Sequence, residues 1–223
     1  MNALIVYGSP HGKKSTTYRF GSNFGKGLKE QGWTVEEAVI NEVEIKHCLG
    51  CYACWRQTPG VCVLKDGMAE LVEKHKHIDL LVLAAPLYFY NVPGKVKDYW
   101  DRNMPLFFSE YQKYSGLATQ SWTDSFKFLL VSSCGFPQKE NFDGLVAVAR
   151  KIYGPAYTGE LLVPFAGAIS QDVDGITYTE LYDLFHKVGN DYGKHHSLPE
   201  DTKKVFAEMT GFEKMQELIK SKQ

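Results

Sequence analysis

The chain has 223 residues, 44% of them hydrophobic, and its 25 basic and 26 acidic side chains leave a formal net charge of −1. This length and composition suffice to bury the core of one large domain. Because the charges balance, nothing attracts a polyphosphate backbone, and we expect no nucleic-acid partner. The sequence contains neither a signal-peptide pattern nor an apolar run of membrane-spanning length, so we expect a cytoplasmic protein with no membrane partner.

The chain opens with an apolar strand, 3–7, that runs into a hydroxyl-rich turn and then into a helical pattern. Backbone N–H groups, hydroxyl donors and the positive end of a helix dipole together suit an anion. We therefore predict a phosphate site with hydroxyls from Ser9, Ser15, Thr16 and Thr17. The alternative is an ordinary N-capped helix, which would use one of these hydroxyls and leave the others unexplained.

The spacing of the turn narrows the choice of phosphate ligand. Gly8 and Gly12 enclose three residues, one fewer than a Walker A loop requires. The dinucleotide pattern of three glycines is missing, and no acidic residue closes the second strand. A mononucleotide remains, held as flavin mononucleotide (FMN) is held in flavodoxin-like proteins.

Short apolar runs alternate with helical segments along the chain, which is typical of a parallel sheet covered on both faces. The predicted strands are 3–7, 34–40, 80–85, 126–132 and 160–165. The predicted helices are about 16–31, 66–76, 93–102, 141–153 and 178–192, followed by an amphipathic segment at about 199–221. We predict an α/β, doubly wound, five-stranded parallel sheet in the flavodoxin-like order 2-1-3-4-5, within three α/β/α layers.

We treat residues 1–223 as one domain with three additions: a cysteine loop at 41–65, an aromatic insertion at 103–125 and a C-terminal helical extension at 170–223. Loops this long usually serve function. The aromatic insertion is expected to cover a flavin, to form a dimer interface, or to cover core. In the extension, the apolar side chains expected to pack on the domain are Val205, Phe206, Met209, Leu218 and Ile219.

Two further loops leave the carboxyl ends of predicted central strands, beside the phosphate turn. The loop from Pro86 to Gly94 is rich in aromatic side chains and suits a flat heterocycle such as the isoalloxazine ring, unless its aromatics are simply buried. The loop at 132–137 carries Cys134, which we interpret as a packing residue. Five histidines are expected to be solvated: His75, His77, His186, His195 and His196.

Four cysteines form the pattern C-x2-C-x2-C-x7-C at Cys48, Cys51, Cys54 and Cys62. Thiolates are soft ligands, and two-residue gaps allow successive sulfurs to converge on a metal. A [4Fe–4S] cluster is one interpretation of this pattern. Zinc, with His47 as a further ligand, and a loop of reduced thiols without metal are the others.

Taken in order, these motifs resemble the NADPH-dependent FMN reductase family, and within it the iron–sulfur flavoproteins and their cysteine-containing relatives. The resemblance covers about residues 1–165 and includes Asp66-x-Met68 and Asp101-Arg102. It implies that the FMN phosphate is held by Ser9, His11, Ser15, Thr16 and Thr17. It also implies that the ring is bordered by Pro86, Leu87, Tyr88 and Asn91, with Cys134 and Gly135 nearby.

The function that this resemblance implies is an FMN-dependent oxidoreductase, in which NAD(P)H binds transiently and a quinone, free flavin or nitro compound accepts the electrons. The alternative is an iron–sulfur flavoprotein that carries electrons between protein partners such as ferredoxin. A third hypothesis is a regulatory or quinone-sensing module that holds FMN without turnover. Members of the family are typically homodimers or homotetramers.

Overall fold

A computed structural model describes residues 1–118, 120–166 and 179–220 of the protein. Five parallel strands form one sheet in the order β2-β1-β3-β4-β5, which confirms the predicted topology. The strands are β1 (Asn2–Tyr7), β2 (Thr34–Val39), β3 (Leu80–Pro86), β4 (Lys127–Ser133) and β5 (Tyr157–Val163).

Nine α-helices are defined within the described residues. The first six are α1 (Thr16–Glu30), α2 (Ala53–Arg56), α3 (Met68–Lys74), α4 (Gly94–Asp101), α5 (Met104–Tyr114) and α6 (Asp143–Tyr153). Three more follow β5: α7 (Thr179–His195), α8 (Glu200–Met209) and α9 (Phe212–Lys220).

The central strands bury both of their faces, because successive side chains point to opposite sides of the sheet. Ile5 and Val82 belong to a core shared with α1 and α7. Leu4 and Leu81 belong to a second core shared with α3, α4 and α6. The near-continuous apolar runs of β1 and β3 are thus the sequence signature of their central positions.

The C-terminal extension contributes to the first of these cores. Phe185 and Val188 of α7 are fully buried against α1. The two helices approach so closely that a Cβ added to Gly189 would lie 2.0 Å from the carbonyl oxygen of Phe24. Helix α7 is therefore part of the core on the α1 side of the sheet. The local sequence pattern predicted the helix but not its burial.

The predicted start of β5 and the predicted loop at the aromatic insertion are wrong. Strand β5 begins at Tyr157, three residues before the predicted start, because this edge strand is half-exposed at first and lacks an apolar run. A register irregularity at Phe128/Leu129 accompanies this start. The aromatic insertion contains the helix α5, with Pro105 in its first turn, and is not simply a loop.

The predicted C-terminal amphipathic segment is divided into α8 and α9 at Thr210 and Gly211. Phe206 is buried there as predicted, and Met209 packs against the core. Val205 is 41% exposed, which contradicts its predicted packing, and Met215 is buried in its place. The side chains of Leu218 and Ile219 lie outside the described part of the chain.

His75 is another correction, since it is fully buried and not solvated. Its ring nitrogens are hydrogen-bonded to the carbonyl oxygen of Leu71 and the hydroxyl of Tyr99. Burial lowers the pKa of His75 from 6.5 to about 4, so the ring is neutral at ordinary pH. Its ring, which follows α3, packs against Tyr99 of α4 and Trp122, and these residues lie 24 or more positions away in the sequence.

Candidate functional site

A cleft of about 360 Å³ lies where the loops that follow β1, β3 and β4 meet. Carboxyl ends of neighbouring parallel strands meet at one edge of a sheet, and this is where doubly wound folds bind ligands. Ten of the eleven residues predicted to bind the cofactor line the cleft: Ser9, His11, Ser15, Thr16, Thr17, Pro86, Leu87, Tyr88, Cys134 and Gly135. Lys14, Ser133 and Ala166 also line it. Ser133 belongs to the loop at 132–137 that was predicted to lie beside the phosphate turn, whereas Lys14 and Ala166 were not predicted.

One end of the cleft is formed by the start of α1. The Ser15 hydroxyl accepts a hydrogen bond from the backbone N–H of Tyr18 at 3.1 Å and donates one to the carbonyl oxygen of Gly12 at 2.8 Å. Ser15 is therefore the N-cap, as the simpler interpretation of the turn proposed for one hydroxyl. The N–H groups of Thr16 and Thr17 precede the first intrahelical bonds and are available to an anion.

The turn itself depends on two glycines. A Cβ on Gly8 would lie 2.3 Å from Cγ2 of Val96 and 2.9 Å from Cβ of Ala85, so α4 packs directly against this backbone. Gly12 has a φ of +54°, in the left-handed region that favours glycine. Side chains at these two positions would displace either α4 or the turn.

The other end of the cleft is formed by a tight hairpin. Tyr88 and Asn91 pair through two backbone hydrogen bonds of 2.8 and 3.1 Å. The two residues between them, Phe89 and Tyr90, have φ of +48° and +62°, and Phe89 is 99% exposed. Aromatic residues in this conformation store strain, which is typical of functional loops.

Asn91 is the predicted cofactor residue that does not line the cleft. Its side-chain oxygen accepts a hydrogen bond from the backbone N–H of Val92 at 2.8 Å. In this structure, Asn91 shapes the hairpin that presents Tyr88 to the cleft.

Cys134 lies on the third wall of the cleft. Its thiol donates a hydrogen bond to the carbonyl oxygen of Phe136 at 3.1 Å, and its side chain is buried. Burial raises the pKa of this thiol, which favours the protonated form. Its geometry agrees with the prediction of a packing residue.

The cleft fits the chemistry of FMN at both ends. Free N–H groups, a helix dipole and Lys14 suit a phosphate, while Pro86, Leu87 and Tyr88 offer an apolar border for a ring. Gly8 lies in the anion-binding turn, and even a Cβ added there would overlap Val96 and Ala85. These properties distinguish the cleft from a helix that merely has a capped N-terminus.

A second cavity, of about 270 Å³, is lined by all four cysteines of the cysteine loop together with Arg102 and Met104. Cys48 and Cys51 are exposed, Cys62 is half-buried and Cys54 is buried. Burial raises the pKa of Cys54, and the neighbouring thiols of Cys62 and Cys48 raise it further. All four cysteines thus line one cavity.

Whether this cavity could bind a metal depends on which side chains could act as ligands. Within the described residues, no three His, Cys, Asp or Glu side chains approach closely enough to form a ligand group as they stand. Four soft donors nevertheless share one cavity, and the Nε of Arg102 beside them is buried without a hydrogen-bond partner. Such an orphaned donor suits a negatively charged sulfur.

His47 is not placed to complete a zinc site. It is absent from the cavity lining, its side chain is 88% exposed, and its Nδ1 lies 2.6 Å from a carboxylate oxygen of Asp98. The structure therefore argues against the predicted role of His47 as a further ligand.

Helix α4 separates the two sites. Its first residue, Gly94, follows the hairpin of the cleft, and Arg102 at its C-cap lines the cysteine cavity. Eight helical residues span about 12 Å. Helix α4 thus connects the hairpin of the cleft to the cysteine cavity.

A family model described as the flavodoxin-like fold matches residues 1–153, more than half of the chain. The chain therefore belongs to this family, and the predicted fold is confirmed. No helix in the described ranges combines the length and apolarity needed to cross a bilayer.

Curated relatives include two iron–sulfur flavoproteins from Archaeoglobus fulgidus. One is 33% identical over 105 residues, which are 47% of this chain and 46% of the relative. The other is 35% identical over 103 residues, which are 46% of this chain and 49% of the relative. The similarity spans about half the length of these relatives, and it bears out the resemblance to iron–sulfur flavoproteins.

Solved structures with the same fold include an FMN-dependent NADH-azoreductase from Bacillus anthracis in complex with FMN. It is 18% identical with a TM-score of 0.61, covering 88% of this chain and 99% of that chain. An NAD(P)H:quinone oxidoreductase from Methanothermobacter marburgensis is 18% identical with a TM-score of 0.60, covering 86% and 95%. At this level of identity the likeness establishes the fold.

Proposed function

We propose that this protein is an FMN-dependent NAD(P)H oxidoreductase that passes electrons from a nicotinamide to a small acceptor such as a quinone, a free flavin or a nitro compound. The observation that carries the proposal is the cleft, where one anion-binding end and one aromatic end meet at the carboxyl edge of the sheet. The names of the azoreductase and the quinone oxidoreductase with this fold support it.

In this proposal the protein binds and orients, and FMN supplies the redox chemistry when bound. The N–H groups of Thr16 and Thr17 and the ammonium of Lys14 hold the phosphate. Pro86, Leu87 and the Tyr88 ring border the isoalloxazine. Ser15 contributes indirectly, because its hydroxyl already caps α1.

The nicotinamide has no permanent site in this proposal. The sequence carries no second nucleotide-binding pattern. The cleft is open to solvent beside Tyr88, which is 43% exposed, so a reductant can reach a ring bound there. The same opening admits the electron acceptor after the nicotinamide leaves.

The test is anaerobic mixing of the FMN-loaded protein with NADPH and, separately, NADH. We expect the flavin absorbance to bleach and to return when a quinone is added. A protein that takes up no FMN, or whose flavin absorbance persists, would contradict the proposal. Lys14→Ala should weaken FMN binding, while Lys26→Ala on the exposed part of α1 is the matched control.

A second candidate function is favoured by the cysteine cavity. Four thiols lining one cavity, together with relatives named iron–sulfur flavoproteins, support an electron carrier that exchanges electrons with a protein such as ferredoxin. Iron and sulfide analysis of anaerobically prepared protein tests it. Stoichiometric iron that is lost in Cys51→Ser favours the carrier, and iron-free protein with the cysteines reduced opposes it.

We further propose that the protein acts as a homodimer or homotetramer. Exposed apolar side chains occur on the cysteine loop, at Leu49, Val61 and Val63, and on the cleft hairpin at Phe89. Such patches are typical of interfaces. Light scattering at several protein concentrations tests this, and Leu49→Lys should shift the mass toward the monomer if the cysteine loop lies in the interface.

A further inference from the structure

A buried ion pair lies against the cysteine cavity. The two terminal nitrogens of Arg102 donate to the two carboxylate oxygens of Asp66 at 2.7 and 2.9 Å. The side chains are only 1% and 0% exposed. Burial alone would raise the pKa of Asp66, but hydrogen bonds from Arg102 and from backbone N–H groups outweigh it and lower that pKa.

This ion pair joins the two ends of the cysteine loop. Arg102 also donates to the carbonyl oxygen of Lys46 at 2.8 Å, and Asp66 accepts from the N–H of Lys46 at 2.9 Å. Lys46 comes just before the first cysteine and Asp66 just after the last. The guanidinium of Arg102 is therefore hydrogen-bonded to both ends of the segment that carries the four thiols.

The middle of the loop is held by a different contact. Trp55 of α2 donates through its indole N–H to the carbonyl oxygen of Met104 at 2.7 Å and stacks on Tyr111 of α5 at 5.4 Å. With both ends and the middle attached to α4 and α5, the loop has little freedom at the cavity. Of these attaching side chains, that of Arg102 itself lines the cavity.

The guanidinium has one donor left over. Its Nε lies buried without a hydrogen-bond partner, which is costly unless a partner arrives. The thiol of Cys62 lies beside the same guanidinium. A neutral thiol accepts weakly, whereas a thiolate or a metal-bound sulfur would accept a charge-assisted hydrogen bond.

We propose that Arg102 is a positioning residue for a soft-metal site formed by the four cysteines. Its ion pair with Asp66 holds the ends of the loop so that the thiols face one cavity, and its Nε–H donates to the Cys62 sulfur. Partners of this kind orient metal ligands, and hydrogen bonds to sulfur tune the potential of iron–sulfur centres. The inference rests on the second candidate function for the metal, and it is independent of the FMN cleft.

The test separates positioning from general scaffolding. Arg102→Lys keeps the positive charge but loses the forked geometry and the Nε–H. The double variant Arg102→Met/Asp66→Leu replaces the buried ion pair by apolar side chains, a change that proteins often tolerate. Lys97→Met, which removes an exposed ion pair with Asp101 on the same helix, is the control.

Each protein is reconstituted anaerobically with ferric iron, sulfide and dithiothreitol as the reductant, and its iron content is followed against a competing chelator. We expect iron affinity to fall about 10–100-fold in Arg102→Lys and in the double variant, with no change in Lys97→Met. The iron that Arg102→Lys retains should show a lower reduction potential, because a hydrogen bond to sulfur is lost. FMN content and circular dichroism should match the wild type.

Two results would overturn the inference. If the double variant keeps the iron affinity of the wild type, Arg102 has only a structural role. If the wild-type protein takes up no iron, the cysteines form no metal site for Arg102 to position. Neither result bears on the FMN proposal, since bleaching of the flavin by NADPH is measured separately. Conversely, failure of FMN binding with iron uptake intact would leave the role of Arg102 standing.

Discussion

The cleft and the cysteine cavity lie at opposite ends of α4 and are built by different means. The cleft is formed by three loops that directly follow β1, β3 and β4, so the sheet itself places its walls. The cysteine cavity is formed by a loop with one short helix, which is fixed by the Arg102 side chain at the end of α4 and by the Trp55 indole, which donates to the backbone of α5. One site is held by backbone topology and the other by a few long-range contacts.

This difference predicts which kind of substitution disrupts each site. The cysteine cavity should respond most to loss of single polar side chains, because those carry its attachment to the domain. The cleft should respond most to added volume under the turn, because its backbone segments are already in contact. Four measurements test this contrast.

The largest effect is expected from Arg102→Met alone. This change leaves the Asp66 carboxylate buried without its partner and should lower the free energy of unfolding by about 3–5 kcal/mol. Urea denaturation followed by circular dichroism measures it. A loss as small as that of the exposed Lys97→Met would show that water replaces the lost partner and that the pair does not fasten the loop.

The second effect is an acid sensitivity from His75, which is hydrogen-bonded to Tyr99 of α4, the helix that ends at Arg102. Its pKa in the native protein is about 4, below the value of 6.5 for a free histidine. The unfolded chain therefore binds a proton that the native protein does not. Stability should be full above pH 6.5 and fall as the pH drops toward 4, by roughly 1.4 kcal/mol per unit at most.

The variant His75→Phe isolates this contribution, because it removes the titrating ring. We expect a shallower loss of stability between pH 6.5 and 4 than in the wild type, measured by urea denaturation at several pH values. His77→Phe, at an exposed position two residues further on, is the control. Identical slopes in wild type and His75→Phe would contradict the assignment.

On the cleft side, Gly8→Ala should cost about 1–3 kcal/mol of stability and weaken FMN binding, because the new Cβ overlaps Val96 and Ala85. Thermal unfolding and fluorescence titration with FMN measure the two effects. Gly94→Ala is the matched control, since no atom lies within 4 Å of its added Cβ. Equal FMN affinity in both variants would mean that the turn tolerates displacement of α4.

The smallest effect is expected from Ser15→Ala, which removes the N-cap of α1 and should cost about 1 kcal/mol. FMN binding should weaken only slightly, because the hydroxyl already donates to Gly12. Ser22→Ala, whose hydroxyl donates to Arg19 within α1, is the control. A loss of FMN affinity larger than the loss of stability would show direct contact of Ser15 with the phosphate.

The sequence could predict the cleft because each of its parts is local. An apolar strand followed by a hydroxyl-rich turn and a helix is visible within 30 residues, and the carboxyl ends of β1, β3 and β4 meet once the strand order is known. Lys14 was within reach of the same reasoning, since it lies in the predicted turn. The close approach of Val96 to Gly8 could not be predicted in this way, because it depends on how α4 packs against the turn.

The cysteine site was also predictable from the sequence only in part. Spacing alone indicated that four thiols would gather, whereas the partner of Asp66 is 36 residues away and follows no periodic pattern. The start of β5 was missed because it is half-exposed and lacks an apolar run. Helix α5 was missed because its aromatic side chains were interpreted as those of a loop.

By itself, the sequence determined the strands, the faces of the sheet and the motifs that follow each strand, because these depend on short-range periodicity. The strand order followed from right-handed crossovers within the doubly wound fold class. Only the tertiary structure decided that α7 belongs to the core, that His75 is buried and that Arg102 fastens the cysteine loop. Those outcomes depend on contacts between distant segments, whose free energy is gained only when the whole chain has packed.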